Sequence, residues 1–440
     1  MTSLAYVRVL SEDIGPRGST TAEEAKAADY VVEQLSRIGL SPERQPFLSA
    51  TSAYRPYTLA AGLILLSIAL FWQPQPVGAA AAALITSIVL GSLLLEMQFR
   101  SNLLRWLLPM GQSQNVHALI SCRSSGSQPG DDESVPMGAT GLRSNCPRSI
   151  VVTAHLDTHR TPFLFRSSSG LAAWRALMQS GVAAVALLLG LFVVGIVTPA
   201  PAPRVAALGP GLIMVAIFAL TIHADLTPFN KGANDNASGV AATLWLAEQL
   251  SRNPLAHTRV YVVFTGCGEV GCYGADAWFS AHRAELGDAI HIVLDRVATA
   301  HAQPVVARGE RFLRTAHSDA GLLKLAEKLI QAHPEWNARL IALNAGWGEL
   351  SIGVMHQLRS IAFSAAPAED PSPHRHQPSD SIDTVDETTL TRVQEMIWAF
   401  LQELDQQIDR QVDQQAGAAA ASRLGEHFRN AIGSTKPEQA

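Results

Sequence analysis

Charge is scarce in this chain. Asp, Glu, Lys and Arg make up 16% of its 440 residues, against roughly 25% in an ordinary soluble domain. That scarcity, beside 48% hydrophobic residues, excludes an intrinsically disordered chain. A basic excess is missing too: 33 Lys and Arg face 38 Asp and Glu, for a net charge of -5. No nucleic-acid surface is expected from that balance. The four cysteines (Cys122, Cys146, Cys267, Cys272) are too few and too irregularly spaced for a disulfide framework or a structural zinc module. Residues 1–55 lack an apolar signal-peptide core, so no cleaved leader is apparent. A mean hydropathy of +0.13 is too low for a chain wholly embedded in lipid. The sum reads as a soluble domain joined to a minority of membrane.

The apolar excess is concentrated. Residues 56–95 carry no charge and are broken only by Gln73-Pro74-Gln75-Pro76. Two spanning helices, about 57–72 and 77–95, are expected there, since about 20 residues at 1.5 Å each cross roughly 30 Å of hydrocarbon. A second uncharged run covers 176–203, and residues 205–222 follow Arg204. The proline-rich stretch 199–203 makes that turn. Four spans in two hairpins leave every polar segment on one side. That side carries Arg55, Arg100, Arg105, Arg160, Arg166, Arg175 and Lys231, and the opposite turns carry only Arg204. The positive-inside rule then predicts a cytoplasmic polar domain and cytoplasmic termini. The spans as drawn hold no ionisable residue, which argues against a transporter.

The polar segments alternate short apolar runs with amphipathic stretches. Thr21-Ala22-Glu23-Glu24 reads as a capping box opening a helix that stops at Gly39. Strands are predicted over 115–120, 150–154, 260–265, 290–294 and 361–364, and helices over 237–250, 319–332 and 387–408. Residues 123–148 read as an exposed loop and 417–440 as a mobile tail. The pattern predicts an α/β three-layer sandwich with a mainly parallel sheet, plus two transmembrane hairpins.

Metal-ligand residue types recur where these strands end. The first such strand runs into His155-Leu156-Asp157. The turn Gly232-Ala233-Asn234-Asp235-Asn236-Ala237-Ser238-Gly239 enters a helix. Strand 260–265 leads into Gly266-Cys267-Gly268-Glu269-Val270-Gly271, strand 290–294 ends at Asp295, and His374-Arg375-His376-Gln377-Pro378-Ser379-Asp380 precedes the last helix. In a parallel sheet the carboxyl ends of the strands line one crevice, so residues distant in sequence converge there. Two imidazoles and three carboxylates suit zinc, manganese or cobalt.

Taken together, segments 154–157, 232–239, 265–274, 294–295 and 376–380 resemble the five signatures of the dizinc aminopeptidases of metallopeptidase family 28. Ile14-Gly15-Pro16-Arg17-Gly18-Ser19 is similar to that family's opening. The resemblance implies a zinc aminopeptidase-like fold and two divalent ions, zinc being the implied metal. His155, Asp235 and Asp295 would hold one, and Asp235, Glu269 and His376 the other. Asp157 would orient His155 by accepting its second ring N–H. His159 and His374 are the nearest competing ligands. The ions would polarise the scissile carbonyl and activate a water.

The resemblance divides the chain into peptidase-domain segments 1–55, 98–175 and 223–416, membrane hairpins 56–97 and 176–222, and a tail 417–440. It breaks at one position. The family's third motif has two adjacent glutamates, the first the general base; here that place is Gly268. General-base help is worth about 10²–10⁴-fold, so weakened catalysis is expected unless another group, Glu349 or Cys267, supplies the base. The implied function is a membrane-tethered aminopeptidase acting on a peptide, in contact with a lipid bilayer and with no nucleic acid. A catalytically silent peptide-binding pseudopeptidase and a glutaminyl-cyclase-like transferase are the alternatives. Nothing in the residues specifies an oligomeric state.

Overall fold

A computed structural model describes residues 1–73, 76–123, 146, 148–198, 200–311, 315–343, 346, 348–367 and 373–407. Most of the loop expected over 123–148 and the tail expected over 417–440 lie outside these residues. Nine strands form one sheet: β1 (Glu43–Ala50), β2 (Met110–Ile120), β3 (Arg148–His155), β4 (Thr258–Thr265), β5 (Ile290–Leu294), β6 (Gln303–Arg311), β7 (Thr315–His317), β8 (Arg339–Leu343) and β9 (Arg359–Ala366). The order is β1-β2-β4-β3-β5-β9-β6-β7, with β8 also on β6.

The middle of this sheet is built from β-branched runs such as Ile150-Val151-Val152 and Val260-Tyr261-Val262-Val263, buried along their length. Strands covered on both faces need such continuous apolar runs. On one face, the helices Ala22–Arg37, Gly239–Arg252, Ala320–Ala332 and 387–407 bury Val31, Leu244, Leu325 and Phe400 against it. On the other, Tyr273–Leu286 and Glu349–Met355 pack Trp278, Phe279 and Ile352 onto Val151 and Val263. Each such fully buried side chain contributes about 1.5–3 kcal/mol.

The sheet is mixed. Strands β4, β3, β5 and β9 run parallel at its centre and β8 runs parallel to β6, whereas β1–β2, β2–β4, β6–β9 and β6–β7 are antiparallel. Four strands escaped the sequence reading. Polar, proline-containing β1 (Glu43-Arg44-Gln45-Pro46) lies at the sheet edge, where proline costs no ladder bond.

All four apolar segments are helical, at Arg55–Phe71, Pro76–Glu96, Ser168–Val197 and Leu208–Leu226. Among the described residues, three stretches are long and apolar enough to cross a membrane: Pro76–Glu96, Ser168–Val197 and Ala202–Leu226. The expected first span falls short. Arg55–Phe71 has 17 residues, about 26 Å of helix against roughly 30 Å of hydrocarbon. The helices form their own core around Ile64, Phe71, Leu188, Phe192 and Met214, separate from that of the sheet.

At the sheet side the helices are tied to the domain by charge. Asp225 accepts from Arg55 Nε at 2.9 Å and faces Arg160 Nε at 3.6 Å. Thr58 donates to Thr221 across the same pair of helices at 2.8 Å. Replacing Asp225 with Ala strips one anion from two arginines. A charged hydrogen bond contributes about 1.5–3 kcal/mol, so D225A is expected to lower the thermal midpoint of the detergent-purified protein by several degrees. An unchanged midpoint would show that the pair does not tie hairpins to domain.

Candidate metal centre

The parallel register brings the predicted residues to one rim. His155 ends β3 and pairs with Thr265 at the end of β4, so the loops after both strands emerge side by side. Asp295 follows β5 immediately. Asp235 arrives from the turn before helix Gly239–Arg252, and His376 from the segment before the last helix.

His155 Nε2 lies 3.5 Å from Asp235 Oδ1 and 3.8 Å from Asp295 Oδ1. His376 Nε2 lies 3.5 Å from Asp235 Oδ2 and 3.2 Å from Glu269 Oε2. Asp235 thus stands between the two imidazoles, presenting one oxygen to each. All five predicted ligands share one cluster. Among the described residues, His155, Asp235 and Glu269 offer ligand atoms within 4.8 Å of one another, and so do His159, Glu269 and His376. His374 goes elsewhere: its Nδ1 meets Ser379 Oγ at 2.9 Å.

Four atoms of this cluster are buried with no hydrogen-bond partner: Asp235 Oδ2, Glu269 Oε1, Asp295 Oδ1 and His376 Nε2. Buried acceptors are costly to leave unpaired. Orphans belonging to one carboxylate of each acidic ligand, and converging with an imidazole nitrogen, are what a divalent cation would satisfy. The donor set fits such an ion by that test.

Electrostatics agrees. Burial alone would lower the His155 pKa, but the carboxylates of Asp157, Asp235 and Asp295 outweigh it and hold it well above its ordinary value. Burial, with Asp235 nearby, pushes Glu269 up to about 7. Burial and Arg375 hold His376 well below the usual imidazole range. A proton on His155 and a cation in the cluster are alternative compensations for the same crowded anions.

Asp157 does more than face His155. His155 Nδ1 is nearest the Asp157 backbone carbonyl, at 3.1 Å, and lies 3.4 Å from its carboxylate. The carboxylate also accepts from Gly268 N at 2.7 Å, Glu269 N at 3.0 Å and Ser19 Oγ at 2.5 Å. It therefore anchors the Glu269 loop to the His155 loop. Asp380 does the same for the Asp235 turn, accepting from Asn234 N at 2.8 Å and Asp235 N at 3.1 Å. Arg296, absent from the sequence reading, clamps Asp295 Oδ2 at 3.1 and 3.0 Å and leaves Oδ1 to the cluster. Its adjacency to Asp295 was the available signal. Arg17, inside the quoted opening motif, donates to the carbonyls of Leu156 and Gly232 and so joins both ligand turns.

Neither proposed replacement base lies in these ligand groups. Cys267 is fully buried, its thiol pushed well up by burial and by Glu24. Glu349 is buried, accepts from Thr265 Oγ1, and is raised by burial.

The model of peptidase family M28 matches residues 215–401. That range contains four of the five clustered residues; His155 precedes it. A probable lipoprotein aminopeptidase of Mycobacterium tuberculosis, LpqL, is 27% identical over 194 residues. The match spans 38% of this chain and 38% of that relative's length. Two solved structures share the fold, each at a TM-score of 0.52. One is the zinc aminopeptidase BSAP of Bacillus subtilis, 14% identical, covering 91% of this chain and 94% of that one. The other is the glutaminyl cyclase of Bacteroides thetaiotaomicron, 13% identical, covering 91% and 96%.

The position where the M28 general base is expected has no room for one. A Cβ on Gly268 would lie 2.6 Å from His155 Cβ and 2.8 Å from its Cγ. Overpacking of this kind typically costs about 1–3 kcal/mol. Gly268→Ala and Gly268→Glu are therefore expected to lower the thermal midpoint and weaken metal retention, with no gain in hydrolysis. A Gly268→Glu protein that hydrolyses faster at full metal occupancy would show that the loop opens to take the side chain.

Proposed function

We propose that this protein is a membrane-tethered, metal-dependent exopeptidase of the aminopeptidase type. The reading is carried by the convergence of His155, Asp235, Glu269, Asp295 and His376 with orphaned ligand atoms. In this reading His155, Asp235 and Asp295 hold one cation and Asp235, Glu269 and His376 a second. Zinc suits both sets. Cations bound there would supply Lewis acidity, polarising the scissile carbonyl and acidifying water. The chain's own residues do the rest. Asp157 and Asp380 hold the ligand turns in register, Arg296 restricts Asp295 to one free oxygen, and burial of the rim excludes bulk water. With glycine at 268, no side chain takes the water proton from that position, and slow turnover follows.

A second reading comes from the glutaminyl cyclase fold relative. Peptides beginning with alanine or leucine and peptides beginning with glutamine separate the two by product. The aminopeptidase reading expects slow release of the first residue, abolished by a chelator and restored by zinc or cobalt. Ring closure of N-terminal glutamine without cleavage would replace it with the cyclase, and no turnover of any peptide despite bound metal would leave a silent binding domain. Metal content tests the site directly. About two equivalents are expected for the purified wild-type protein, with loss in Asp235→Ala.

The arginine excess at the domain side of the hairpins places the domain in the cytoplasm in this reading. Cys122 and Cys146 are bonded to each other, which counts against that placement, since a reducing cytosol does not maintain such a bond. Rapid alkylation in intact cells decides: the cytoplasmic reading expects both as thiols. A bridge recovered intact would place the domain on the oxidising side of the membrane.

A further inference from the structure

His159 is the one residue that geometry adds to the ligand cluster. Its Nε2 or Nδ1 falls within 4.8 Å of the ligand atoms of Glu269 and His376, which invites reading it as another ligand. Three observations point elsewhere. First, its ring lies face to face with that of His376, centroids 3.6 Å apart and planes 11° from parallel. Imidazole lone pairs lie in the ring plane. An ion in the plane of the His376 ring would sit nearly the full stacking distance out of the His159 plane, far beyond a zinc–nitrogen bond of about 2.1 Å. One ion cannot be served by both rings in this arrangement.

Second, both His159 nitrogens are occupied. Nδ1–H donates to the Arg160 carbonyl at 2.7 Å, and Nε2 faces the Tyr54 hydroxyl at 3.3 Å. The His376 Nε2, by contrast, has no hydrogen-bond partner. One ring is already spoken for and the other still needs a partner. Third, His376 gets little support from its own backbone, whose φ of 58° lies in the left-handed region that residues with side chains seldom occupy. Its imidazole must be held by neighbours, and the neighbour on its face is His159.

We propose that His159 is a positioning residue for the second cation site: its ring face fixes the His376 imidazole so that Nε2 points at Asp235 and Glu269. The chain of contacts continues outward. Tyr54, which holds His159, is the residue immediately before membrane helix Arg55–Phe71. Tyr54 also meets Trp174 edge-on at 5.9 Å, inside helix Ser168–Val197. The second site is thereby braced by both hairpins.

This inference rests on the metallopeptidase reading, and the test separates their failures. Full-length protein in detergent, stripped with a chelator, is titrated with cobalt(II), whose visible absorption reports each equivalent as it binds. Loss of an outer partner of a metal-bound histidine typically costs 10–100-fold in affinity. His159→Ala is expected to weaken the second equivalent by that factor and leave the first unchanged. His159→Phe keeps a stacking face without nitrogens and is expected to stay within about threefold of wild type. His159→Asn, polar but ringless, is expected to behave like Ala and serves if the Ala variant fails to fold; thermal melts confirm folding in each case. Wild-type affinity in the ringless variants would overturn the proposal. So would a Phe variant as weak as Ala, since that would make a nitrogen the active element. A wild-type protein that binds no cobalt would overturn the metallopeptidase reading itself.

Discussion

Crowding of buried anions at one rim is the constraint on which this architecture depends. Asp157, Asp235, Asp295 and Asp380 are buried or nearly so, and Glu269 joins them. Burying carboxylates uncompensated is prohibitive. The chain therefore assigns each a partner. Asp157 takes two backbone amides and Ser19, Asp380 takes two further amides, and Asp295 gives one oxygen to Arg296. After those pairings the oxygens still unmatched are one each on Asp235, Glu269 and Asp295. Those of Asp235 and Asp295 face the two imidazoles. What remains is a cation site defined by subtraction.

The apolar hairpins do more than pack on one another. They hold their own apolar core, yet meet the domain through Asp225, Arg55 and Arg160 within the same stretch of chain that carries His159 and Tyr54. An exposed ion pair contributes little, whereas this one bridges two arginines at partly buried positions and so helps fix geometry as well as energy. The first hairpin's short helix fits that reading. It packs among the longer helices and starts beside the centre, at Tyr54.

Much of this was legible before any coordinates. Strands β3, β4 and β5 and the last helix announce themselves by β-branched runs and helical periodicity, and the five ligands follow because parallel strand ends converge. What escaped was of two kinds. Edge strands such as β1 are polar and carry proline, so they look like loop; their pairing is a tertiary event. Partners such as Arg296, Ser19 and Tyr54 are ordinary residues whose task depends on what folds against them. A second task of Asp157 was hidden for the same reason, since its carboxylate, besides facing His155, accepts amides from a loop more than a hundred residues away.

By itself the sequence determined which residues could bind a cation, which stretches prefer lipid, and that a base is missing at position 268, because composition, apolar length and motif spacing are local properties. Only the tertiary structure decided how those residues are used. The close approach of the 268 backbone to His155, the face-to-face pair of His159 and His376, and the choice of which carboxylate oxygen stays unpaired are distances between chain segments that no spacing encodes.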